Sequence, residues 1–120
     1  MSDIKIDLSY LDEVAGGNAE FIIEMIDIFL QQTPGYVSGL NGAIAEKDWK
    51  RIAEIAHKIK PTLTFMGLND EQVQMANIEH QAREQKAYEE IVAVFDKLNS
   101  LFPSIYIALE NKKVELAENT

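Results

Sequence analysis

Apolar residues recur at three- and four-residue spacing along almost the whole chain, and alternation at every second position is almost absent. A period near 3.6 gives a helix one apolar stripe. It cannot give a strand one dry face. Short cap and stop signals divide the pattern. A short segment after Ser9 carries Leu11 and Val14 and meets Gly16-Gly17. Asn18 reads as an N-cap, with Glu20 in the first turn. The helix it opens carries Phe21, Ile22, Met25, Ile26, Phe29 and Leu30, and stops near Thr33-Pro34-Gly35. A third helix holds Val37, Leu40 and Ile44. Asp48 then caps a fourth, whose stripe runs from Trp49 through Ile52, Ile59 and Leu63 to Met66. Gly67 ends it, and Asn69 is expected to cap a fifth helix with Met75, Ile78 and Ala82. The last helix begins near Ala87 and runs to about Leu109, kinked or split at Pro103, before a polar tail that should fray. The expectation is an all-α protein: an antiparallel four-helix bundle, up-down-up-down, with short additional N-terminal helices. Residues 1–120 form one domain, with its core at about 8–110 and its tail at 111–120.

Bulk properties exclude several classes. The 120 residues include no cysteine, so disulfides, thiolate zinc sites and cysteine chemistry are absent. No basic and apolar leader is visible at the N-terminus. The most apolar run, "FIIEMIDIFL", is too short and too charged to span a bilayer. A cytoplasmic protein without a membrane segment is expected. The net charge of −9, from 20 acidic and 11 basic side chains, repels nucleic acid and points to protein partners. No glycine-rich phosphate loop, internal repeat or low-complexity segment is present.

The fourth helix has a second face. With Ile52 at zero and about 100° per residue, Ile59, Leu63 and Ala56 lie within about 40° of it. His57 falls at about 140°, Lys60 at about 80°, Thr64 at about 120° and Pro61 at about 180°. His57 therefore belongs to the solvent side, one turn from Lys60. In a symmetric hairpin centred on residue 68, position 57 faces position 79, which is Glu79. A carboxylate on one ring nitrogen fixes the tautomer and leaves the other nitrogen as a nucleophile. Lys60 could then hold an incoming phosphoryl group. The plain alternative is a solvated helix face. Trp49 reads as a core anchor, the methionines as packing, and His80 as a surface residue.

The stretch Ala56 to Gly67, "AHKIKPTLTFMG", resembles the signature of histidine phosphotransfer (HPt) domains: H-x-[LIM]-K-G, then small or polar residues, then a glycine. "DWKRIAEIAHKIK" before it and "IEHQAR" after it are also similar to this family, and the resemblance covers roughly residues 8–110. It implies that His57 is the phosphorylated histidine, Lys60 the stabilising lysine and Gly67 the closing glycine. Glu79 takes the place of the group that hydrogen-bonds the histidine, and Lys58 is a second cation nearby. It implies a carrier without an ATP site, metal or cofactor of its own. Its partners would be a sensor (hybrid) histidine kinase and the receiver domain of a response regulator. Ala53, Pro61 and Thr64 would line the near side of the docking patch, with Lys58 and Lys60 meeting an acidic receiver pocket. The free-standing chain is expected to be a monomer.

Pro61 departs from the pattern, where the family usually has glycine. Either the helix ends at Lys60 and restarts with Pro61 as its first residue, or one bent helix continues. The unbroken phase of Ile59, Leu63 and Met66 favours the bent helix. Pro61 also leaves open a degenerate module that binds receivers without accepting phosphate. A di-iron reading of Glu54-x-x-His57 fails on sequence, because the second such element is missing.

Overall fold

Stripe continuity, more than local propensity, sets the helix lengths. The computed structural model describes residues 6–118, and these form five helices: α1 Ser9–Ala15, α2 Ala19–Ala45, α3 Trp49–Phe65, α4 Asn69–Arg83 and α5 Tyr88–Glu118. The segment expected as two helices around Thr33-Pro34-Gly35 is one helix, so α1 is the one short N-terminal helix among the described residues. Phe29, Thr33, Val37 and Leu40 stay on one buried face across the proline, and Pro34 itself is exposed. Pro61 and Pro103 also lie inside helices with their rings exposed. A proline in a helix interior costs about 3 kcal/mol. Burying Ile52, Ile59 and Leu63 on α3 gains about 1.5–3 kcal/mol each. The stripe wins, and the helix continues through Pro61.

The long helices close a ring: α2 packs on α3 and α5, and α4 packs on α3 and α5, with α1 laid on α2. The core lies between them. Asn18 and Asp48 cap as expected, their side chains accepting from the backbone N–H of Phe21 and Arg51. Asn69 does not cap α4. Leu68 occupies the cap position without a side-chain bond, because its side chain is buried in the core and the helix starts directly after it. The tail does not fray over residues 111–118. Lys113 pairs with Asp27 of α2, and Leu116 packs against the core. Helix α5 is long and apolar enough, by length and composition, to cross a membrane. Its apolar stripe (Ile91, Phe95, Leu98, Phe102, Ile105, Leu109) is buried within the bundle.

Candidate functional site

The site depends on the turn that joins α3 to α4. Leu68 N–H donates to the carbonyl of Leu63 at 2.9 Å, and Gly67 N–H to that of Thr64 at 3.1 Å. This is a Schellman closure, and it needs a left-handed residue after the helix. Gly67 supplies it, with φ of 71°. A second demand falls on the same residue: a Cβ on Gly67 would lie 1.9 Å from the carbonyl oxygen of Asp7. The N-terminal segment runs directly over this turn. Gly67 was expected as the closing glycine of the motif, and that is its work: it closes the hairpin beneath the chain's own backbone.

The closed hairpin brings α3 and α4 into register. His57 Nδ1 lies 3.0 Å from Glu79 Oε2, across 22 residues of sequence, as the hairpin geometry anticipates. Lys60 Nζ donates to Glu79 Oε1 at 2.9 Å. Arg83, one turn along α4, donates to Oε2 through Nε at 3.0 Å and Nη2 at 2.7 Å. One carboxylate therefore receives four hydrogen bonds from three side chains. Glu79 is buried, with its side chain 10% exposed, whereas His57 is 63% exposed.

These contacts settle the protonation pattern. Burial is the largest single influence on Glu79 and disfavours its charge. Hydrogen bonds from Lys60 and Arg83, the Lys60 charge and the His57 bond together outweigh it and hold the carboxyl down at about 2. An ionised carboxylate can only accept, so Nδ1 of His57 carries the proton. In the neutral ring, Nε2 then keeps its lone pair. The arrangement gives an accessible imidazole of fixed tautomer beside two cations.

The other anticipated residues divide. Lys58, Pro61 and Thr64 are exposed on α3 around His57. Ala53 was expected on the same patch, but it is 2% exposed. At about 100° from Ile52 it faces α4, and that helix covers it. Two features were missed. Arg83 is the first, and it stands at the i+4 position from Glu79, where a partner is expected on any helix. The second is an aromatic pair, Phe65 of α3 and Tyr10 of α1, with ring centroids 5.6 Å apart. Phe65 lies one turn beyond Pro61, so this pair extends the apolar surface of α3 toward α1. Trp49 is half-buried and meets Tyr88 edge-on at 6.0 Å. Among the described residues, no three His, Asp or Glu side chains gather as metal ligands.

A family model described as Hpt domain matches residues 24–112, which spans most of α2 and all of α3 and α4, and reaches Lys112 in α5. The match begins later than the expected residue 8, leaving α1 and the first turn of α2 outside it. No curated protein and no solved structure matches the chain significantly.

Proposed function

Because the chain belongs to the Hpt domain family, whose members take part in phosphorelay histidine phosphotransfer, we propose that it is a phosphoryl carrier with His57 as the acceptor. The supporting observation is the one-sided use of the imidazole, with Nδ1 held by Glu79 at 3.0 Å and the ring open to solvent. The Nε2 lone pair attacks phosphorus of a receiver's aspartyl phosphate or of a kinase-bound donor. The N–P bond forms as the bond to the leaving oxygen breaks, and the donor's carboxylate or nucleotide departs with that electron pair. The Nδ1 proton stays in place, and Glu79 neutralises the ring's positive charge. Transfer to a second receiver is the reverse: an aspartate oxygen attacks, and neutral imidazole leaves. Such reactions need mainly positioning and charge stabilisation. Lys60 is the group that meets the phosphoryl oxygens. The receiver supplies the metal and most of the catalytic groups.

Docking falls on the exposed face of α3, over Lys58, Pro61 and Thr64, with Phe65 and Tyr10 extending it. The ring of α2 to α5 is read as an up-down-up-down bundle that holds this face rigid, in a monomeric cytoplasmic protein. The test is to incubate the protein with a labelled phosphorylated receiver. Wild type should take up acid-labile phosphate, and His57→Gln should take up none. If wild type takes no label from any donor, the chain is a receiver-binding module without transfer, the reading that Pro61 favours.

A further inference from the structure

Glu79 has more donors than its position requires. Lys60 alone would neutralise it, yet Arg83 adds a two-pronged contact to Oε2, the same oxygen that accepts from His57. The two cations are not equivalent. Lys60 is on α3, one turn from His57, and the carrier reading above requires it to turn toward an incoming phosphoryl group. When it does, Oε1 loses its partner. Arg83 is on α4, on the same helix as Glu79 and at i+4, with 54% of its side chain exposed. Its planar fork can hold the carboxylate without help from α3.

We infer that Arg83 is a positioning residue: it fixes the Glu79 carboxylate on Nδ1 of His57 and keeps it there when Lys60 leaves for the phosphoryl group. The inference rests on the carrier reading for its consequence, although the contact itself exists without phosphate. Arg83 acts through Glu79, not through the reacting atoms. Removing its fork lets the carboxylate swing about Cγ. His57 then loses its fixed tautomer, and the fraction of rings presenting a lone pair at Nε2 falls. A lysine at this position supplies a charge but only a point donor, so it restores part of the effect.

The test uses the full chain and phosphoramidate, a small donor that transfers its phosphoryl group to imidazole nitrogen with loss of ammonia. It needs no partner, so docking does not enter. Wild type, Arg83→Gln, Arg83→Lys, Glu79→Gln and the double variant Arg83→Gln/Glu79→Gln are compared. Nitrogen-15 NMR of unphosphorylated His57 should show one tautomer, protonated at Nδ1, in wild type and a mixture in Arg83→Gln. Labelling of Arg83→Gln should slow about tenfold, the scale expected for a misplaced reacting group, with Arg83→Lys between. In the Glu79→Gln background the same change should alter the rate by less than about twofold, because the residue it acts through has lost its charge. An unchanged tautomer in Arg83→Gln overturns the inference. So does an equal slowing in both backgrounds, which would make Arg83 a direct phosphoryl contact. Failure of the carrier reading looks different: wild type takes no label, while the tautomer measurement still decides the role of Arg83.

Discussion

Replacing Glu79 with glutamine removes one charge and almost no volume, so its effect on stability measures the carboxylate cluster directly. The carboxyl lies at about 2 in the folded protein against an ordinary 4.5. That difference corresponds to about 3 kcal/mol if it is taken in full. Lys60 and Arg83 are 30% and 54% exposed, and solvent screening reduces the figure to about 1–2 kcal/mol. The amide can accept on one side only, and its NH2 must then face a cation or the imidazole N–H. The sign follows from the direction of the shift. A carboxyl depressed on folding stabilises fully above its unfolded value of 4.5, and that stabilisation drains away as pH falls toward 2. Urea unfolding followed by circular dichroism should therefore find Glu79→Gln less stable by about 1–2 kcal/mol at pH 7. At pH 3 less than half of that gap should remain. All other carboxylates titrate alike in both proteins and cancel in the difference. Equal stability at pH 7, or a gap undiminished at pH 3, would refute the reasoning.

Two further substitutions probe the backbone. Gly67→Ala should destabilise by about 2–4 kcal/mol, combining left-handed strain with displacement of the Asp7 segment and partial exposure of Leu11. A urea midpoint equal to that of wild type would contradict the close approach. Pro61→Ala should stabilise by about 1–3 kcal/mol, because it restores the amide that can bond back to the His57 carbonyl on an exposed face. A loss of stability in the same unfolding assay would mean that the proline ring makes a compensating contact.

The core stripes and the hairpin partner of His57 were legible because both follow from period and spacing alone. The misreadings have physical causes. Thr33 occupies a core position in α2 with a polar side chain, so it hid the stripe's continuity just where Pro34 and Gly35 imitate a turn. At Pro61 the flanking Ile59 and Leu63 left the phase visible, and there the helix was expected to continue, as it does. The ends of α2 and α4 place Lys47 and Gln85 at φ of 56° and 52°, in closures like that of Gly67. No glycine marks them, so sequence offered no signal. The ordered tail rests on Lys113 meeting Asp27 of α2, a contact between residues far apart in the chain that no local pattern encodes. Ala53 was misplaced because a wheel angle gives direction but not what stands there, and α4 stands there.

The charge distribution explains how an acidic protein can present a basic helix face. Helix α3 carries Lys50, Arg51, Lys58 and Lys60 against Glu54, a net +3. The chain totals −9, so the remaining residues carry −12. Fields from charges farther away than about 8 Å are largely screened at physiological ionic strength. A partner at the face of α3 therefore responds to the local sign more than to the total. Within that face the cations have separate parts. Lys50, Arg51 and Lys58 are exposed and have no acidic partner among the described salt bridges, so on the carrier reading they would act on an approaching receiver. Lys60 is held by Glu79, which quenches its charge at a distance. If the chain carries phosphate as proposed, steering would come from residues that do no chemistry, and the lysine beside His57 would be released only when an anion competes with Glu79. The role proposed for Arg83 is to let Glu79 give up Lys60 without losing its hold on the imidazole.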